Sequence, residues 1–505
     1  VGLVAVVGLW LWSPVAPAVA QQPLQTAQAI QPYLDRVAEA VTEFTLDNGM
    51  KFIVLERHQA PVVSFMIHAD VGAVNEADGK TGVAHYLEHL AFKGTQQIGT
   101  RNYAAEKALF QDMDQVFEQI LVAEAAGDNV QAEELKVKLT ALQKEAATYV
   151  EQNKYGQIID QAGGVGLNAT TGADATRYFY SLPSNKLELW MSLESERFLE
   201  PVFREFFEEK DVILEERRMR VDNSPIGKMI EEFLGAAFEV HPYRRPVIGY
   251  EEDLYRATRD DIQTFYDTYY GPENLTVAVV GDVDPAQVRE YAEIYFGRYQ
   301  AKAAPPDVVF DEPAQTDSRE FTLELDSEPW YLEGYHRPGI NHPDHAIYGM
   351  IDSLLVGGRT SRLYKTLVDQ TQIALDVGSL NGFPGDKYPN IFLLYALTAP
   401  GHSVEDIAAA FQQELEALKT QPLSSAELER VKTQARAGLL GSLASNSGMA
   451  SLLAEYEAKT GSWRNIFAEL ADIEAISAED VQRVAREMFV PTNRVVGKLM
   501  STSGS

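Results

Sequence analysis

The sequence predicts an α+β chain built from two unequal copies of one unit, with an α-helical hairpin inserted in the first copy. Three observations carry this reading. Residues 258–281 (TRDDIQTFYDTYYGPENLTVAVVG) and 477–500 (SAEDVQRVAREMFVPTNRVVGKLM) align without gaps, matching Asp261 with Asp480, Gln263 with Gln482, Pro272 with Pro491 and Asn274 with Asn493. Runs rich in β-formers, such as 52–74 and 321–336, are mixed with helical patterns in no regular βαβ order, which favours α+β. AHYLEHLAFKG (84–94) lies over YGMIDSLLVGG (348–358), but the offset there is 264 residues instead of 219, so the first copy carries about 45 extra residues between these landmarks.

Each element has a local reason. In both members of the gapless pair, apolar residues at helical spacing precede a Pro-containing turn and then a β-rich strand. The extra material places Leu109, Met113, Val116, Ile120 and Leu121 at helical spacing over 103–126, turns at Gly127-Asp128-Asn129, and resumes with Leu135, Leu139 and Leu142 over 130–152. That is an α-hairpin within an insertion spanning 103–155, each arm about 35 Å long at 1.5 Å per residue. Its composition suits a solvated decoration; guarding a site is the sharper alternative. AKAAPPDVVFDEPAQTDS (301–318) has Pro305-Pro306 and no periodicity, and reads as a linker between units at 43–300 and 319–500.

Composition narrows the function. The 505 residues carry 43 Lys+Arg against 74 Asp+Glu, a net charge of −31, which repels phosphate backbones and excludes a nucleic-acid partner. Cysteine is absent, which removes disulfides, thiol nucleophiles and Cys-ligated metals together. Any metal must sit on His, Asp or Glu. At the N-terminus, the apolar run VGLVAVVGLWLW is followed by SPVAPAVA, ending in Ala18-Val19-Ala20. This is the pattern of a signal peptide over 1–20, without its basic n-region, and implies an exported, periplasmic or otherwise extracytoplasmic chain. An uncleaved anchor is the alternative. No other segment reaches the 18 apolar residues of a spanning helix, so no membrane span is expected in the mature chain.

The chemistry centres on His85-Tyr86-Leu87-Glu88-His89. On a helix, residues four apart share a face, so both imidazoles can address one ion with Glu88 beside them. Two neutral imidazoles suit zinc, and a neighbouring carboxylate can accept a proton from water, the inverse of H-E-x-x-H. A catalytic site needs a third protein ligand. EFFEEKDVILEERRMR (205–220) offers Glu209 and Glu216, two helical turns apart, but six acidic residues also make a solvated face, and spacing alone does not separate Glu216 from Glu215.

HYLEHLAFKGT (85–95), GGVGLNATTGADATRYFYSLP (163–183) and EKDVILEE (209–216) together resemble the M16 metallopeptidases, as do the stretches GPENLTVAVVGDVD and GGRTSRLYKTL. The resemblance implies two homologous domains, each an antiparallel-rich sheet packed with helices, forming one half of a clamshell. It implies one Zn2+ per chain on His85, His89 and Glu216, with Glu209 supporting the site and Glu88 as general base. It places Asn168 and Ala169 on an edge strand that receives peptide substrate. The implied activity is that of a zinc endopeptidase working in a chamber formed by paired chains. The gap of 127 residues from His89 to Glu216 exceeds the family's usual spacing; the insertion accounts for most of it and resembles a bacterial branch.

The second copy has Gly349, Asp352 and Ser353 where the first has His85, Glu88 and His89, so it cannot hold zinc in that way. Active relatives grip substrate with an Arg and a Tyr from the opposite half; Val368 and Leu375 occupy those places here, while Arg359, Arg362 and Tyr364 belong to an earlier block. The resemblance therefore favours a second, different M16-like chain as partner over a homodimer. The rival readings are a non-catalytic scaffold or assembly subunit and a peptide-binding export factor.

Overall fold

The computed structural model describes residues 27–502, so the leader expected over 1–20 lies outside the described residues. Two mixed sheets organise the chain. The first contains β1 (Val41–Thr45), β2 (Lys51–Glu56), β3 (Val62–Ala69), β4 (Val165–Thr171), β5 (Thr176–Pro183) and β6 (Leu275–Gly281), in the order β1-β2-β6-β3-β5-β4. The second contains β7 (Arg319–Leu325), β8 (Trp330–Arg337), β9 (Ala374–Phe383), β10 (Asn390–Thr398) and β11 (Arg494–Ser501), in the order β7-β11-β8-β10-β9.

The repeat is visible in this order. In each unit the last strand enters between two strands consecutive in sequence: β6 runs parallel to β2 and antiparallel to β3, and β11 runs parallel to β7 and antiparallel to β8. The sequence runs 52–74 and 321–336 are therefore each two strands, separated in space by a third. Charged residues and a proline (Arg57 to Pro61, Asp326 to Pro329) break each run where the chain must leave its strand. The matched residues do matched work. Thr258 with Asp261, and Ser477 with Asp480, form capping boxes at the starts of equivalent helices. Asn274 Nδ2 donates to Tyr269 O (2.9 Å) and Asp70 O (3.2 Å); Asn493 Nδ2 donates to Met488 O and His336 O (both 2.9 Å). In both copies this amide ties the end of the helix to the end of a neighbouring strand.

Six helices position the site and join the two halves of the chain: α1 (Val83–Leu90), α2 (Tyr103–Ala125), α3 (Asn129–Ala146), α4 (Phe206–Arg217), α5 (Pro225–Ala237) and α6 (Asn446–Thr460). One face of the first sheet, with Phe52, Val54, Phe65, Ile67, Val277 and Val279, meets α1 and the helix Leu187–Leu199 in one core. The other face (Ile53, Leu55, Met66, Ala278, Val280) is covered by Met449, Ala450 and Leu453 of α6 and by Trp463, all from beyond residue 319. The exchange is reciprocal. Leu332, Ile391, Leu393, Val495 and Leu499 of the second sheet pack against Met229, Phe233, Leu234 and Ala237 of α5, from the first half of the chain. Both faces of each central strand are thus buried, which explains why β6 (LTVAVVG) is apolar almost without alternation.

The insertion forms the predicted hairpin, capped by Asn102 on Ala105 N and Asp128 on Gln131 N, and turning at Gly127 (φ +74°). Its second arm ends at Ala146 and is shorter than the 130–152 expected, because Val150 leaves the helix to bridge Thr100. Nor is the hairpin a solvated decoration. Phe110 and Phe117 widen the stripe of Leu109, Met113, Val116 and Ile120, and all six are buried in the core of the first sheet. The Phe117 ring lies 5.2 Å from that of Phe207 on α4. Residues 301–318 have no regular structure but are pinned: the Phe310 ring lies 3.8 Å from that of His241, and Glu312 accepts the backbone N–H groups of Glu239, Val240 and His241 at 2.7–2.8 Å.

Phe233 is fully buried at the place where the two halves exchange helices. Phe233→Ala should cost about 3–5 kcal/mol, as for other large aromatic truncations. A urea melt would show the lower midpoint; an unchanged midpoint would contradict this packing.

Candidate metal centre

Eight residues are too few for a helix that stands alone, so α1 depends on its surroundings. Its N-terminal N–H groups at Gly82 and Ala84 donate to the buried carboxylate of Glu76 (2.9 and 2.8 Å). Burial raises the pKa of Glu76 to about 8 against the opposing pull of those two bonds. Gly82 is left-handed (φ +84°), and a Cβ there would fall 2.6 Å from Ile248 O, so only glycine fits. Val83, Ala84, Tyr86, Leu87 and Leu90 turn inward. The Tyr86 ring stacks on Phe206 at 4.9 Å, and its hydroxyl donates to Phe206 O, which fixes α1 against α4.

This docking brings together residues distant in sequence. The rings of His85 and His89 sit edge to face at 4.8 Å. Their Nε2 atoms face the same oxygen, Glu216 Oε2, at 3.9 and 3.5 Å. Among the described residues, His85, His89 and Glu216 are the group of three His, Asp or Glu side chains close enough to share an ion. Four tetrahedral donors about 2.1 Å from a zinc ion lie about 3.4 Å apart, so the spacing and the two-nitrogen, one-oxygen donor set fit zinc. His89 Nδ1 donates to Glu209 Oε2 at 3.1 Å, leaving Nε2 free to face Glu216. Lys93 bonds Glu209 Oε1 at 2.5 Å, and Arg220 bonds Glu216 Oε1 at 2.7 Å.

The acidic residues of 205–220 divide by face. Glu209 and Glu216 look toward α1, Glu205 pairs with Lys93 (3.2 Å), Glu208 accepts from Gln143 (3.2 Å), and Glu215 is exposed and paired with Arg218. Packing thus separates Glu216 from Glu215, which spacing could not. Charge follows the same lines. Burial opposes ionisation of Glu216, but the bond from His89 and the nearby His85 and Arg220 outweigh it and bring its pKa down to about 2. Glu209 is lowered in the same sense by His89 and Lys93, against its own burial. Burial likewise disfavours a charged His89, yet Glu209 and Glu216 hold its pKa up to about 9, so a cation and a proton compete for this ring. His85 goes the other way: burial, then His89, lowers it to about 4.

Glu88 lies beside the cluster. Its Oε2 accepts a hydrogen bond from Thr171 Oγ1 at 2.6 Å, and burial raises its pKa against that bond. Asn168 and Ala169 lie on β4, an edge strand paired only with β5; Asn168 is exposed and Ala169 buried. Sequence reasoning missed Thr171, Lys93, Arg220 and Glu76. Lys93 and Arg220 could have been found, each four residues after a ligand candidate, Lys93 just past the end of α1 and Arg220 in the turn that continues α4. In the second lobe Asp352, aligned with Glu88, is half-buried and accepts from Ser379 on β9, while Gly349 and Ser353 offer no imidazole. Val368 packs against the second core, and Leu375 is exposed on β9. Among the described residues no helix is long and apolar enough to cross a membrane.

Fold and donor set define the class: a two-lobed α+β chain whose first lobe carries a His-His-Glu cluster with the spacing of a metal site. The family described as "Insulinase (Peptidase family M16)" matches residues 51–110, which contain His85, Glu88 and His89, and "Peptidase M16 inactive domain" matches residues 256–435. The zinc protease PqqE of Helicobacter pylori is 30% identical over 459 residues, covering 89% of this chain and 90% of that one. A Mycobacterium leprae zinc protease is 26% identical over 461 residues, covering 89% of each. The crystal structure of a protease from Helicobacter pylori superposes with a TM-score of 0.77 at 28% identity, covering 91% of this chain and 99% of that one. The periplasmic protease PqqL of Escherichia coli gives a TM-score of 0.67 at 18% identity, covering 92% of this chain but 48% of that one. The chain belongs to peptidase family M16.

Proposed function

We propose that this chain is a zinc-dependent endopeptidase that hydrolyses peptides or unfolded segments. The observation that carries the reading is the convergence of His85 Nε2 and His89 Nε2 on Glu216 Oε2, with the half-buried Glu88 carboxylate beside them. The names of the relatives as zinc proteases support it. His85, His89 and Glu216 would hold one zinc ion, and Glu209 would orient His89. The catalytic unit is residues 43–300 with the insertion 103–155; residues 319–500 form the unit without metal ligands. When bound, zinc supplies a Lewis acid that polarises the scissile carbonyl and acidifies water. Glu88 accepts the proton of the attacking water at its carboxylate and returns it to the leaving amine. Its raised pKa suits both roles, and Thr171 keeps the carboxylate oriented. An extended peptide adds to the open edge of β4 along Asn168 and Ala169 by main-chain hydrogen bonds, which makes cleavage only loosely dependent on side chains.

Glu88→Gln should retain stoichiometric zinc while losing turnover of an unstructured peptide by about 10²–10⁴-fold, the usual worth of a general base. Near-normal hydrolysis by a sample of this variant free of other proteases would refute the role.

The working form pairs this chain with a second M16-like chain. Its relation to half of a longer structure motivates the pairing, and Val368 and Leu375 in place of Arg and Tyr favour a different chain over a second copy. Adding a partner that carries the Arg/Tyr pair should raise turnover; a homodimer already at full activity and unmoved by the partner would contradict this. Export rests on the 1–20 leader, and recovery of the chain solely from cytoplasm would sink that part of the reading.

A further inference from the structure

The geometry points to Asp174 as a positioning residue through which the lobe without metal ligands sets the strand that orients Glu88. The inference rests on the peptidase reading and adds a role for the second lobe within the same chain. β4 has a strand partner on one side only, and its pairing with β5 is interrupted between Val165 and Asn168. A strand held so lightly takes its position from its turn. Thr171, the residue that holds Glu88, is the last of β4 and stands opposite Thr176, so the turn 172–175 decides where its hydroxyl lies.

That turn is gripped from two sides. From the first lobe, Ala73 N donates to Gly172 O (3.2 Å) and Val74 N to Ala173 O (2.9 Å). From the second lobe comes the loop between β9 and β10. Asp174 is 5% exposed, and its Oδ2 accepts Asp386 N (2.8 Å) and Lys387 N (3.0 Å), while Oδ1 accepts the Tyr243 hydroxyl. Gly385 permits the approach: a Cβ there would fall 2.5 Å from Asp174 Oδ2. The loop is itself braced. Lys387 Nζ bonds both oxygens of Asp70 at 2.6 Å, and Lys459 Nζ bonds Asp386 Oδ1 at 2.6 Å. A buried carboxylate with three donors, three residues from Thr171, thus links the second lobe to the orientation of Glu88. If Asp174 merely latched the lobes together, its loss would lower stability and leave the turnover of folded molecules unchanged.

The test uses the full chain and four variants: Asp174→Asn, Thr171→Val, the double variant, and Lys387→Met. Asn keeps the size of Asp174 but offers one acceptor oxygen in place of two. Each is measured for zinc content, peptide turnover and hydrogen exchange across residues 165–176. Asp174→Asn should hold normal zinc, lose about tenfold or more in kcat with a smaller change in KM, and exchange faster over 165–176 but not over β3. If both residues act through one contact, the double variant should be no slower than the slower single variant. Lys387→Met, which loosens the loop that grips Asp174, should lower the thermal midpoint and lower kcat by less than Asp174→Asn does. A kcat for Asp174→Asn within about twofold of wild type, losses that multiply in the double variant, or unaltered exchange over 165–176 would overturn the inference. A zinc-loaded wild-type chain that cleaves no peptide would instead overturn the peptidase reading, and the exchange data would still decide whether Asp174 holds the strand.

Discussion

The register of α1 against α4 is the constraint on which the His-His-Glu cluster depends. Tyr86 and Phe206, 120 residues apart in the chain, set it by a ring stack and a buried hydrogen bond. With that register fixed, His89 reaches Glu209, Lys93 reaches Glu209 and Glu205, and both imidazoles face Glu216. A slip of one residue would turn the line of histidines by about 100° around a helix of 3.6 residues per turn and take them off the shared face. The rest of the first lobe stabilises this one alignment: Glu76 satisfies the start of α1, and the inserted hairpin packs Phe117 against Phe207 behind α4. Several ionised groups lie together in a half-buried pocket, and each has a partner of opposite charge, which offsets the cost of taking them from water.

The second lobe has the topology of the first without its chemistry. Its last strand enters its sheet in the same way, and its Asn493 repeats the bonds of Asn274. At the place of Glu88 it retains a carboxylate held by a hydroxyl from the edge strand, Asp352 with Ser379, but the imidazoles are gone. Its contribution to the first lobe is mechanical. α6 covers the back of the first sheet, as α5 covers the back of the second, so neither sheet buries both faces with its own half of the chain.

Local patterns make much of this legible. The hairpin, the gapless repeat and the HYLEH face all follow from periodicities that operate within a few turns of one helix or strand. The helix exchange is not legible, because the apolar faces of α5 and α6 predict burial but do not name the sheet that buries them. The two strands within 52–74 run together in the sequence because the turn between them is short. Glu216 cannot be told from Glu215 by spacing; the docking of α1 decides which carboxylate faces the histidines. Thr171 escapes for the same reason, since its tie to Glu88 crosses 83 residues and leaves no periodic trace.

The proposed peptidase activity requires one zinc ion between α1 and α4, held by two imidazoles and one carboxylate. Anomalous diffraction from zinc-loaded crystals, recorded on both sides of the zinc absorption edge, tests it most directly. One peak per chain is expected, about 2.0–2.2 Å from His85 Nε2, His89 Nε2 and a carboxylate oxygen of Glu216. No peak there, or a fully occupied peak bonded to other residues, would contradict it.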